Sequence, residues 1–201
     1  MATPEPPAAR HPAPPRLPPD LAAATVDAGD LGEGLESVRV RDTVLAGARV
    51  GRLGLLDCAL ERCDLGGLDV ADGSLVRVAI SDSRLTGLAG AGVLLRDVTI
   101  ADSRMDVASL AGARLERVSF ERCDLRELDL QGARLHDVRF AECDLGQALL
   151  EGADCTRTEL RDCGYEGLRG IDGLRGTAIA WPDAVALARR FADALGVRVL
   201  D

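Results

Sequence analysis

Six cysteines are the side chains of this sequence best able to do chemistry: Cys58, Cys63, Cys123, Cys143, Cys155 and Cys163. Thiolates hold zinc where four ligands converge and react where a neighbouring cation lowers their pKa. Here their positions follow a structural period instead. Five of the six recur at one small, inward-facing position, and Cys155 takes the central apolar one. Each is therefore expected to act as a compact buried hydrophobe. Stacking of neighbours could approach disulfide distance, but parallel side chains in a reducing compartment disfavour bonding. Of the two histidines, His11 lies in a proline-rich tail and His136 faces outward with no nucleophile beside it. Carboxylate pairs such as Asp97 and Asp102 read as a solvated face. The glycine-rich segment from Gly87 to Gly92 precedes no helix, so a bulge or flattened side is expected there in place of a phosphate loop. No catalytic residue, metal site or cofactor site is assigned.

The elements that carry these residues follow from a period of five. Steps of five from Leu35 to Tyr165 give 27 positions, of which only Gly90 is not apolar; the register one residue later, from Glu36, has 8 apolar residues in 27. A mostly small or aliphatic residue, such as Val38, Ala48, Cys58, Ser83 or Ala113, precedes each by two. No helix of period 3.6 or strand of period 2 keeps such a pattern on one face over 130 residues, whereas a coil with flat five-residue sides does. A second period of twenty stacks residues in columns, for instance Val40, Leu60, Ile80, Ile100, Phe120, Phe140 and Leu160, with a glycine corner at Gly92, Gly112, Gly132 and Gly152. Four sides thus close one turn. The expected fold is an all-β solenoid of about seven coils over residues 35–170, roughly 30 Å long at about 4.8 Å per coil.

Eight of nine prolines fall between Pro4 and Pro19, so residues 1–19 read as a disordered, partly polyproline II tail. Residues 20–34 are a candidate N-terminal cap. The phase breaks down from Leu168 to Ile179. Beyond it, residues 171–201 are expected to cap the C-terminal end with a helix over about 182–195, whose face carries Ala184, Leu187, Ala188, Phe191 and Leu195. Two readings of that face stay open: capping alone, or capping and pairing two chains as a homodimer. A short strand over 197–200 is expected to follow.

Composition narrows function. Hydrophobic residues make up 47% and aromatic ones 2%, all 24 basic residues are arginine, and the formal charge is -9. That balance argues against direct nucleic-acid binding. No stretch approaches the roughly 20 apolar residues of a membrane span, and no secretory signal is evident, so a cytoplasmic location is expected. Arginine without lysine, together with abundant alanine, suggests a GC-rich bacterial genome.

Runs such as CDLRELDLQGARL, from Cys123 to Leu135, and CDLGQALLEGAD, from Cys143 to Asp154, resemble the pentapeptide-repeat family, whose motif is A(D/N)LXX. The resemblance implies a right-handed quadrilateral β-helix. More distantly, the chain is similar to the loopless quinolone-resistance members, which are dimeric acidic rods that bind DNA gyrase by resembling duplex DNA. One outward ridge reads Asp42, Arg62, Asp82, Asp102, Arg122, Glu142, Asp162. Its carboxylates Asp42, Asp82, Asp102, Glu142 and Asp162 are the candidate partner-binding residues, and its two arginines interrupt what a DNA mimic would keep continuous. The function expected is a non-enzymatic, protein-binding scaffold with an unidentified protein partner, with a type II topoisomerase as the alternative partner.

Overall fold

Each five-residue unit turns a corner because the residue two after the central apolar one sits in the left-handed region. Among the described residues, eighteen non-glycine positions hold φ between 49° and 59°, from Ser37 to Asp162, and eight of them are aspartate. Aspartate tolerates that conformation better than most residues because its short polar side chain bonds locally. Between corners the backbone is extended, so the chain winds into a four-sided β-solenoid. The computed structural model describes residues 8–18, 22–24, 26–50, 52–70 and 72–199.

In chain order the elements are β1 (Ala23–Ala24), α1 (Ala28–Glu33), β2 (Leu35–Glu36), β3 (Arg39–Arg41), β4 (Arg49–Val50), β5 (Gly54–Glu61), β6 (Asp69–Val70) and β7 (Ser74–Ser81). They continue with β8 (Leu94–Ala101), β9 (Arg114–Glu121), β10 (Arg134–Ala141), β11 (Asp154–Thr156), β12 (Glu159–Arg161), β13 (Ala178–Ile179) and α2 (Trp181–Ala194). The eight-residue strands β5, β7, β8, β9 and β10 each bend at a left-handed fourth residue and so cover two sides of the rod. They pair in parallel with a strict shift of twenty, as in Leu95 with Leu115 and Leu115 with Leu135. Isolated bridges such as Asp64 with Arg84 and Ala89 with Ser109 carry the same shift on the other two sides. The stacked path runs β1-β3-β5-β7-β8-β9-β10-β12-β13. The repeat coils therefore gain one short strand at each end.

The central columns fill the interior. Leu115, Phe120, Leu125 and Leu130 are fully buried, and their neighbours one coil away are nearly so. The Phe120 and Phe140 rings stack at 5.0 Å with planes 3° apart, since identical residues one coil apart must face each other. Gly90 does not create the expected bulge. Its N–H bonds the carbonyl of Ser109 at 2.8 Å and the register on either side is kept. Leu88 and Leu110 fill the space instead, and a Cβ on Gly90 would stand 3.0 Å and 3.3 Å from their methyl groups.

Both ends are closed. At the N-terminal end, Asp27 and Asp30 form a reciprocal capping box that starts α1, and Leu31 is buried against the first coils. At the C-terminal end the phase break holds a 3-10 turn over Ile171–Leu174, then β13, then α2 with Pro182 in its first turn. Residues 197–199 carry no strand, and Leu200 lies outside the described residues.

The expected disordered tail is replaced over residues 8–18 by a segment laid along the rod. Its backbone bonds three aspartates on successive alternate coils: Arg10 to Asp137, Ala13 to Asp97 and Arg16 to Asp57. Hydrogen bonds to the rod, and not a core of its own, hold this stretch.

Candidate functional site

Stacking at a shift of twenty turns each corner position into a column of side chains, so the surface chemistry is written in columns. Two of the four corners are glycine-rich: one carries Gly47, Gly67, Gly87 and Gly167, the other Gly92, Gly112, Gly132 and Gly152. The other two are charged and flank a single side of the rod.

The first charged corner is the acidic ridge. Asp42, Asp82, Asp102, Glu142 and Asp162 are all exposed on it. The two arginines do more than interrupt the series. Arg62 grips Asp42 through Nε and a terminal nitrogen, both at 2.7 Å, and Arg122 grips Asp102 at 2.6 and 2.7 Å. Hydrogen bonding to these guanidiniums holds both carboxyls below the usual range. Asp82, Glu142 and Asp162 have no ion pair among the described residues.

The second charged corner alternates sign along the rod: Asp57, Arg77, Asp97, Arg117, Asp137, Arg157. Each arginine reaches back one coil in a bidentate grip, at 2.7 and 2.6 Å for Arg77 on Asp57, 2.6 and 2.7 Å for Arg117 on Asp97, and 2.6 and 2.7 Å for Arg157 on Asp137. Planar guanidinium matches carboxylate geometry in this way. The guanidinium contacts outweigh burial and take Asp57 and Asp137 down to about 2. The outer side of each carboxylate remains an acceptor, and the N-terminal segment uses it. Neither the alternation nor the segment's role was recognised in the sequence, although both left a signal. The column switches sign at every step of twenty, and residues 10, 13 and 16 are the non-proline positions at a spacing of three.

The predicted cap face divides. Leu187 is fully buried, Ala184 and Phe191 are half-buried, and Ala188 and Leu195 are exposed. Ala188 and Leu195 thus fall outside the docked face; instead Trp181, Val185 and Leu195 are exposed apolar side chains of this segment. Asp183 is the polar anchor. Its carboxylate accepts the N–H groups of Asp162 and Cys163, each at 2.8 Å. Arg190 adds a bond to the carbonyl of Leu168 at 2.9 Å.

The cysteines are all free thiols, five buried and Cys163 half-buried. Burial pushes the thiols of Cys58, Cys63 and Cys155 up. The sulfurs of Cys58, Cys63, Cys123, Cys143 and Cys163 lie against carbonyl oxygens of the preceding coil, as at Cys123 with Ile100, 3.4 Å. Among the described residues no three metal-ligating side chains converge. His136 is exposed and touches Arg157 and Asp137.

A family model described as pentapeptide repeats matches residues 103–140, in eight copies. Comparison with curated protein sequences gives no match. Among solved structures, full-length QnrB1, a plasmid-mediated fluoroquinolone resistance protein, is 11% identical over 76% of this chain and 99% of its own, with a TM-score of 0.33. HetL, a protein involved in heterocyst differentiation regulation from the cyanobacterium Nostoc sp. strain PCC 7120, is 17% identical over 75% of this chain and 90% of its own, with a TM-score of 0.23. Rfr23 from the cyanobacterium Cyanothece 51142 is 14% identical over 74% and 89%, with a TM-score of 0.23.

Proposed function

We propose that this chain, a pentapeptide-repeat protein, is a binding scaffold whose acidic ridge engages a basic surface of another protein. The observation that carries the reading is the difference between the two charged corners. One has its aspartates neutralised by arginines and covered by the N-terminal segment, while the other leaves Asp82, Glu142 and Asp162 exposed without ion pairs among the described residues. Exposed carboxylates on a rigid rod steer and orient a cationic partner. A binding role suits a solenoid packed with aliphatic columns, and function in such a fold resides in its surface.

The gyrase reading requires the ridge to imitate an unbroken polyanion. The bidentate pairs at Asp42 and Asp102 cancel charge at two of its five carboxylates, which favours a partner with a local basic patch over one built to hold duplex DNA. We assign the protein to the cytoplasm, where six free thiols stay reduced. We further assign a homodimer through the outward apolar side of α2 and the residue that caps it, where Trp181 and Leu195 are each 80% exposed.

The test is partner capture on immobilised protein, side by side with a variant carrying Asp82→Asn, Glu142→Gln and Asp162→Asn. The scaffold reading expects a partner retained by the first and lost by the second, with no change in gyrase supercoiling. Inhibition of supercoiling that disappears in the variant would establish the gyrase reading instead. A partner bound equally by both proteins would remove the ridge from the site.

A further inference from the structure

The corner column Asp57, Asp97, Asp137 meets the N-terminal segment with a regularity that goes beyond a single tether. Oδ1 of each aspartate accepts one backbone N–H: from Arg16 at 2.9 Å, from Ala13 at 3.1 Å and from Arg10 at 3.2 Å. The donors are three residues apart, and the acceptors are two coils apart. Two coils span about 9.6 Å at about 4.8 Å each. Three residues of polyproline II span about 9.3 Å at 3.1 Å each, and its threefold symmetry returns an N–H to the same side at every third residue. An extended β-strand returns its N–H groups to one side every two residues, about 6.7 Å, and cannot match that spacing. An α-helix uses its N–H groups internally.

The segment's sequence is written for this register. Pro12, Pro14, Pro15 and Pro18 occupy positions where no N–H is used, while Arg10, Ala13 and Arg16 supply the three donors. Ala9, Pro12 and Pro15 are half-buried, and Arg10, His11, Ala13, Pro14 and Arg16 are exposed, so every third side chain over residues 9–16 faces the rod; the half-buried Leu17 and exposed Pro18 leave that register. The acceptors are prepared in advance. Arg77, Arg117 and Arg157 fix the three carboxylates by two bonds each, and Oδ1, which accepts the arginine Nε, keeps a second lone pair for a further donor. Preset acceptors and a stiff ligand lower the ordering cost of binding.

We propose that this column is a recognition site for polyproline II peptides, read through one backbone N–H at every third residue, and that residues 8–18 occupy it in cis. The site is separate from the acidic ridge on the neighbouring corner, so its test stands independently of the function proposed above. A proline-rich segment of another protein enters only where it displaces the resident one.

The experiment uses the full chain and a labelled synthetic peptide with the sequence of residues 8–18, followed by fluorescence anisotropy. A variant carrying Arg10→Pro, Ala13→Pro and Arg16→Pro has no N–H to offer from its own tail in this register, leaves the coils unaltered, and opens the site. Saturable binding to this variant is expected, with binding to the native chain weaker by roughly tenfold or more. A peptide carrying Ala13→Pro is expected to bind the variant roughly tenfold more weakly, the change that accompanies loss of one hydrogen bond to a carboxylate. No binding to the variant, with its circular dichroism unchanged, overturns the proposal. Equal binding of the native chain, or equal affinity of the two peptides, overturns it as well.

Discussion

The phenolic hydroxyl of Tyr165 donates to Oδ1 of Asp183 at 2.8 Å across the junction between the last coil and the terminal helix. The same carboxylate accepts the N–H groups of Asp162 and Cys163. Twenty residues after Cys163, Asp183 takes the place that Ser83 holds for the N–H of Cys63 and Ser103 holds for that of Ser83. The cap therefore continues a column of the solenoid with a side chain from a helix.

Replacing Asp183 tests that junction. Asp183→Ala leaves two partly buried amides and a buried hydroxyl without their acceptor, and a loss of about 2–4 kcal/mol is expected. Tyr165→Phe removes one of the three bonds and should cost about 1 kcal/mol. Urea denaturation gives both values. Hydrogen exchange should also show the amides of Asp162 and Cys163 opening early in the alanine variant; unchanged protection there would show that α2 is held by its apolar contacts alone.

Val107 offers the opposite sign. It holds φ 56° at a corner, is 55% exposed, and as a β-branched residue is poorly suited to the left-handed region. Val107→Asn keeps the corner with a side chain that accepts it, so a gain of about 1 kcal/mol is expected. The denaturation midpoint should rise with an unchanged m-value. A fall would mean that the valine methyl groups contribute more than the corner strains.

The outward side of α2 supplies the test of pairing. Trp181, Val185 and Leu195 bring large apolar side chains to the surface of one short segment. Sedimentation equilibrium is expected to give a dimer for the native chain and a monomer for a Trp181→Glu, Leu195→Glu variant of unchanged helicity. A monomeric native chain at micromolar concentration would restrict α2 to its capping role.

The solenoid was legible because its signal is repeated: one apolar position in five, carried without interruption from Leu35 to Leu85 and from Leu95 to Tyr165, can be satisfied by few shapes. The helix of the cap was legible from Pro182 and Asp183 at its start. Its docked face was less so, because Leu187 and Leu195 are chemically alike and only the position of the last coil separates the buried one from the exposed one. The ridge and its two arginines are legible in steps of twenty, but which carboxylates stay unpaired is not, since that depends on Arg62 and Arg122 reaching across to Asp42 and Asp102. The tail was misread for a related reason. Composition reports whether a segment can bury a core, and residues 8–18 are ordered by backbone donors that composition does not register.

Acid should release that tail within a defined window. Asp57 and Asp137 sit at about 2 in the folded chain, chiefly through Arg77 and Arg157, against burial that acts in the other direction. Asp97 is lowered in the same sense by Arg117. The charged and titratable groups around them are Arg16 and Arg77 at Asp57, and Arg10, Arg157 and His136 at Asp137. A carboxylate depressed from about 3.9 in the unfolded chain contributes stability that is fully present above about pH 4 and is lost as pH falls through about 2. The amide resonances of Arg16 and Arg10 are therefore expected to keep their bound positions from pH 7 through about pH 4 and to move toward free-chain values as pH falls toward about 2. Arg157→Gln removes the main cause of the depression at Asp137, so release at Arg10 should shift to higher pH while Arg16, held at Asp57, is unaffected. Release of the whole segment near neutral pH would show that the aspartates do not hold it.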